Sequence, residues 1–162
     1  MQQLSEHEIR AALVNVSVRE RKELSLPTDF DERRWDKLDY LGWRDPKLPA
    51  VGYLILGGAQ PVGIMLRANV IPPRTRPQCA LCEDVTLPNE VVLFGARRAG
   101  KAGRKGDTVG SLICSGFQCS GNVRRLPSSV MAGDDPELIR QLRIESLRER
   151  VARFVARVGA PI

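Results

Sequence analysis

Two short runs decide how this chain folds: Cys79-Ala80-Leu81-Cys82, and, beyond the intervening residues 83–113, Cys114-Ser115-Gly116-Phe117-Gln118-Cys119. The pattern C-x2-C … C-x4-C is a metal-site spacing, because each short loop offers two sulfurs to one ion. Zinc takes four such donors at the corners of a tetrahedron. The reducing cytoplasm disfavours a disulfide framework. Cys79, Cys82, Cys114 and Cys119 are therefore expected to close around one structural Zn²⁺. An iron site and plain buried thiols are the alternatives.

That commitment has consequences for chemistry. With every cysteine engaged, none is left as a nucleophile, and a zinc site closed by four thiolates keeps no open position for water or substrate. The lone histidine, His7, sits in Ser5-Glu6-His7-Glu8 at a helix start and reads as exposed and inert. No serine or acidic motif points at it. The chain reads as a non-enzyme with no small-molecule substrate.

Working outward from the cysteines, residues 90–98 (EVVLFGARR) read as a strand and 108–114 (TVGSLIC) as its partner, ending at Cys114. Residues 115–125 are expected to turn helical around Cys119. Cys79–Cys82 forms a tight knuckle, approached by an extended segment through Pro72, Pro73 and Pro77. Upstream, the apolar runs 51–56 (VGYLIL) and 61–70 (PVGIMLRANV) flank Gly57-Gly58-Ala59-Gln60 and read as a β-hairpin.

The N-terminal part reads differently. Ser5 and Glu8 fit a capping box, and Ile9, Ala12, Leu13 and Val16 follow at helical spacing, so a helix is expected over 6–16. Trp35, Tyr40 and Trp43 suggest an apolar anchor docked on the core; an exposed plug for a partner is the other reading. Asp45-Pro46 and Pro49 mark a boundary. Two parts result: 1–48, a helical segment packed on the core, and 49–162, a zinc-binding α/β domain. At the other end, Asp134-Asp135-Pro136-Glu137 starts a long helix running to about Val158, before Gly159 and Pro161. Ile144, Leu147, Val151, Phe154 and Val158 share its apolar stripe. Arg143, Arg150 and Arg157 lie beside the stripe, as a solvated flank or as a face for an acidic partner. The class is α+β.

Between the two cysteine pairs, residues 95–107 form a basic glycine-rich loop with five cations: Arg97, Arg98, Lys101, Arg104 and Lys105. The loop contains G-x4-G-K, but Ala102 stands where a phosphate-binding loop needs the hydroxyl of Ser or Thr for Mg²⁺. Nucleotide hydrolysis is rejected. The loop is then a solvated hairpin end or an electrostatic contact surface.

The whole composition agrees with a globular binding protein. The 162 residues are 43% hydrophobic, 27% charged and carry a formal net charge of +6. Zinc bound by four thiolates would lower that balance by two. No apolar run reaches the roughly 20 residues of a membrane span, and no basic-then-apolar leader opens the chain, so a cytoplasmic location is expected. A positive balance fits a polyanionic partner: nucleic acid, a ribosome or an acidic protein face. Aromatic residues are only 5%, which disfavours a base-stacking platform.

Three stretches resemble the elongation factor G-binding proteins of the FusB type, associated with fusidic acid resistance and carrying a treble-clef zinc finger. They are Trp35-Asp36-Lys37-Leu38-Asp39-Tyr40-Leu41-Gly42-Trp43-Arg44-Asp45-Pro46, Arg98-Ala99-Gly100-Lys101-Ala102-Gly103-Arg104-Lys105-Gly106, and Val109–Cys114 with the C-x4-C after it. The likeness is to short stand-alone members. It implies a treble-clef-like four-cysteine zinc finger with β-hairpins, a helical N-terminal segment and a long C-terminal helix. It implies non-enzymatic binding of elongation factor G, helping that factor leave the ribosome, with Arg97, Arg98, Lys101, Arg104 and Lys105 giving charge complementarity. Where resistance members carry an aromatic after the first cysteine, this chain has Ala80. Phe117 is the available substitute on the contact face, with core packing as its alternative. A ribosome- or RNA-binding zinc protein, touching ribosomal RNA through the same loop, is the competing reading.

Overall fold

Five strands pair in chain order, each antiparallel to the next, in the computed structural model: β1 (Leu41–Arg44), β2 (Val51–Leu56), β3 (Val62–Ala68), β4 (Val91–Arg97) and β5 (Thr108–Cys114). The structure describes residues 1–69, 75, 77–126 and 133–159. The expected approach through Pro72 and Pro73, the end of the second hairpin strand at Val70, and Pro161 lie outside them. The two hairpins read from the sequence are β2–β3 and β4–β5.

The unbroken apolar runs of β2 and β3 follow from burial on both faces. Val51, Tyr53, Ile55 and Met65 point to one side, where they pack with Leu4, Ile9, Leu13, Leu24, Trp35 and Trp43. Leu54, Ile64 and Leu66 point to the other, packing with the cysteines and the C-terminal helix. Each such side chain contributes about 1.5–3 kcal/mol on burial. The sheet is thus the middle of three layers. Both tryptophans belong to the core, Trp43 stacked on Tyr53 with ring centroids 4.8 Å apart.

Helix α1 (Glu6–Ala12) has the expected capping box but stops four residues short of Val16. Beyond it the chain runs extended along β3: Val14 donates to the Gly63 carbonyl at 2.9 Å, and Leu13 bridges to Gly63. Asn15 explains the break. Its buried side-chain amide donates to the carbonyls of Met65 (2.9 Å) and Arg97 (2.8 Å) and accepts from the Met65 N–H (2.8 Å). Among the described residues the ladder between β3 and β4 holds the pairs Arg67↔Gly95 and Ala68↔Phe94 and a bond from Asn69 N–H to the Leu93 carbonyl at 2.8 Å, and the next rung in register would be Met65 with Arg97. Asn15 takes the place of that rung.

Three short helices complete the connections: α2 (Val18–Glu23), α3 (Gly100–Arg104) and α4 (Cys119–Arg124). The last meets the expected turn around Cys119. α2 was not anticipated, because none of its residues is buried and it shows no apolar period; its one signal is a second capping box, Ser17 with Glu20. Helix α5 (Pro136–Gly159) runs as expected, and all five stripe residues are buried against the sheet. No helix among the described residues is long and apolar enough to cross a membrane.

Candidate metal centre and basic hairpin tip

The first cysteine pair lies on the segment that leaves the sheet between β3 and β4. The second pair comes from the end of β5 and the start of α4. Folding brings all four sulfurs within 4.8 Å of one another, and all four residues are buried. Cys79 Sγ and Cys119 Sγ stand 3.7 Å apart, as do Cys82 Sγ and Cys114 Sγ. A disulfide would need about 2.05 Å. A tetrahedron whose centre lies ~2.3 Å from each sulfur has an edge of ~3.8 Å. The cluster therefore has the dimensions of a Zn–S4 site, and one structural zinc ion fits it.

Nearby donors favour thiolates. Asn122 Nδ2 donates to the sulfurs of Cys82 and Cys114, each at 3.6 Å, and the Leu81 N–H reaches Cys79 Sγ at 3.4 Å. The thiols respond to their crowding in opposite ways. Hydrogen bonds from the Cys114 thiol, then the Cys119 thiol, drive Cys79 far down; Cys119 is driven up by the thiols of Cys114 and Cys79. Both shifts have one cause: four sulfurs this close cannot all carry charge without a cation among them. Tyr40 closes the cluster from below, its hydroxyl donating to the Phe117 carbonyl at 3.2 Å. Burial first, then the neighbouring Cys119 sulfur, push its phenol well up.

The knuckle is braced from α5. Arg143 pairs with Asp84 at 3.0 Å, and Arg150 pairs with Glu83 at 2.6 Å while donating to the Leu81 carbonyl. Two of the three arginines spaced by seven thus clamp the first cysteine loop. Neither sequence reading of that flank anticipated it. Glu83 takes a positive φ of 52°, turning the chain sharply after Cys82. On the opposite side, Asp39 has no exposed side-chain surface. It is held by Arg124 of α4 and Arg148 of α5, the latter at 2.9 Å, and so ties the N-terminal segment to the helix that carries Cys119.

Phe117 lies in the core. It is 6% exposed, packs on Phe94 with centroids 5.1 Å apart, and its ring lies over Gly42 and Gly52. A Cβ at either glycine would come within 2.7 Å of it. Phe117 therefore takes the core-packing role, the alternative the sequence left open.

The basic loop is more ordered than the sequence suggested. Residues 98–107 close as a hairpin end in which Arg98 N–H donates to Asp107 at 2.9 Å and α3 fills the turn. Lys101 stands three residues before Arg104 on α3 and four before Lys105 at its C-cap, so it neighbours both. All three are exposed and make no ion pair among the described residues. Gly103 packs underneath, where a Cβ would lie 1.7 Å from the Arg98 carbonyl oxygen. Arg97 is separate: it points to the N-terminal segment and pairs with Glu20 at 3.0 Å. Arg98 lines a groove beside the end of α5.

The family model of the FBP C-terminal treble-clef zinc-finger matches residues 8–158. Among solved structures, the fusidic acid resistance protein FusC superposes with a TM-score of 0.56 at 20% identity, over 75% of this chain and 53% of FusC. The chain spans about half the length of FusC, and at this identity the likeness is one of fold. A comparison with curated protein sequences finds no match.

Proposed function

Since the chain belongs to the FBP C-terminal treble-clef zinc-finger family, we propose that it is a non-enzymatic, cytoplasmic binding protein that grips elongation factor G and helps it leave the ribosome. The observation that carries this reading is the cation face of α3, displayed without an ion pair among the described residues at the end of a hairpin whose other end is fixed by the four sulfurs. Loops held on a rigid base commonly carry binding. Zinc is the scaffold here, since its four-thiolate set has no position left for a substrate. In this reading residues 49–162 form the binding unit and 1–48 brace its far side. Lys101, Arg104 and Lys105 make the contact, with Arg98 beside them and Arg97 at the margin.

Charge complementarity of this kind raises association rate and specificity, and it weakens with salt. The test is calorimetry of the zinc-loaded protein with elongation factor G at low and moderate salt. Binding that falls as salt rises, and that slows in association when Lys101 and Arg104 are replaced by glutamate, is expected. No detectable binding at low salt rejects the reading. Filter binding to ribosomal RNA tighter than that to the factor would transfer the function to the RNA-binding alternative. Release is read separately, by whether the protein frees the factor from ribosomes in sedimentation.

A further inference from the structure

A sheet of five strands has two edges, and unpaired edge groups are normally covered. At β1 the outward carbonyl of Gly42 accepts from Arg33 at 3.0 Å. At β5 the rungs to β4 fix which groups point out. Arg98 N–H bonds to Asp107 and Ser115 N–H to Glu90, so residues 107, 109, 111, 113 and 115 face β4 while Thr108, Gly110 and Leu112 face away. The Leu112 carbonyl is taken by the knuckle, through Ala80 N–H at 2.8 Å. Thr108 and Gly110 are exposed, and their backbone groups have no partner among the described residues.

This open half-edge borders a groove of about 580 Å³ between β5 and the last turns of α5, lined by Arg98, Asp107, Thr108, Val109, Ala156 and Arg157. The end of α5 is fixed there by Ala99 N–H donating to the Val158 carbonyl at 2.8 Å. The turn that carries α3 leaves from Arg98 and returns at Asp107, both of which line the groove. Arg157 adds a further exposed cation with no ion pair among the described residues.

We propose that the Thr108–Gly110 edge of β5 binds an extended acidic segment of a protein partner as an added strand. Main-chain hydrogen bonds to Thr108 and Gly110 supply the register, as in strand addition generally. Arg157 and the α3 cations select glutamate or aspartate along the added segment. Gly110 suits the role because it leaves the edge open to a close backbone approach. A second copy of this chain fits poorly: it would bring the same positive surface, and its own knuckle at Leu112, against those of its mate. The inference does not depend on elongation factor G being the partner.

The test uses the zinc-loaded full chain and a short labelled peptide alternating glutamate with valine, against the same peptide with lysine in place of glutamate. Fluorescence anisotropy at low salt should show binding of the first only. Gly110→Pro removes the outward N–H and no rung to β4, and a side chain there meets only ordinary contacts, the nearest 3.5 Å away. It should weaken binding about tenfold or more, the loss of edge hydrogen bonds, with an unchanged melt. On the unaltered protein, amide exchange should slow at Thr108 and Gly110 when the peptide is present, with Val109 and Ser111 as internal controls. Equal binding of the two peptides, no binding of either, or unchanged exchange at Thr108 and Gly110 overturns the proposal. So does full affinity in Gly110→Pro. Retention of elongation factor G by a Gly110→Pro protein that has lost the peptide would leave the function above standing and separate the two sites.

Discussion

Asn15 offers the sharpest test of how this sheet holds together. Its amide makes three hydrogen bonds of 2.8–2.9 Å to backbone groups of two strands whose ladder is short among the described residues. Asn15→Leu removes all three and leaves the Met65 N–H and the carbonyls of Met65 and Arg97 unsatisfied inside the molecule. A buried group left without its partner costs about 1–3 kcal/mol. With water reaching part of the gap at the half-exposed Arg97, the expected total is about 3–5 kcal/mol, at the high end of single substitutions. Urea unfolding at fixed zinc should show the midpoint falling with an unchanged slope. Asn15→Asp sharpens the logic. Its carboxylate would face two carbonyls, so the folded state favours the protonated form and raises the pKa above the unfolded ~3.9. A raised folded pKa makes stability fall as pH climbs from about 4 to 7. A loss under about 1 kcal/mol for Asn15→Leu, outside the range for a buried orphan, would refute the ladder-substitute reasoning, as would a flat pH profile for Asn15→Asp.

Removing one zinc ligand with Cys114→Ser should abolish one-to-one zinc retention and unfold the face that packs on α5, because metal binding in small sites is coupled to folding; a zinc assay and a thermal melt check both, and an unchanged melt contradicts the structural role. Gly103→Ala places a methyl against the Arg98 carbonyl oxygen, so α3 must shift, at a cost of about 1–3 kcal/mol; faster amide exchange confined to residues 98–107 is the expected signature. Asp84 is held below the usual carboxylate range: burial pushes it up, but N–H donation from Leu87 and Thr86 and the Arg143 guanidinium outweigh that. A depressed folded pKa contributes stability that is present above the unfolded ~3.9 and lost as pH falls through it. Asp84→Asn should therefore flatten the acid limb of stability against pH, and an unaltered acid limb would show that the Asp84–Arg143 brace is not part of it.

The parts that were legible in the sequence are those written in local spacing. The cysteine pairs, the capping box at Ser5 and Glu8, and the stripe from Ile144 to Val158 each declare themselves within a few residues. What escaped depends on partners far along the chain. Leu13 and Val16 continue a helical period, but Asn15 finds carbonyls 50 and 82 residues away and pulls the chain into an extended path. Arg143 and Arg150 look like a solvated flank until Asp84 and Glu83, from the distant first cysteine loop, are folded beneath them. The resemblance offers Phe117 as a substitute contact aromatic, with core packing as its alternative. Only the floor made by Gly42 and Gly52, on strands more than 60 positions away, shows why it turns inward.

The same accounting explains where the positive charge ends up. Many arginines among the described residues are held by groups of the fold itself. Arg10 and Arg21 hold carbonyls around α1 and α2, Arg44 reaches the Ser115 carbonyl, and Arg124 and Arg148 hold Asp39. Arg143 and Arg150 hold the knuckle. The arginines paired with a carboxylate (Arg124, Arg148, Arg143 and Arg150) add little to the field outside, since the opposite charge lies within a few ångströms and the sum fades within a Debye length of about 8–10 Å. The cations left without such partners therefore count for more than their number, and α3 with the last turn of α5 gathers Lys101, Arg104, Lys105 and Arg157 around one end of the sheet. Zinc fixes the opposite end of the β4–β5 hairpin. Losing the metal should thus weaken attraction to an acidic partner even though no cation is removed, because the hairpin that displays them would no longer be held in one direction.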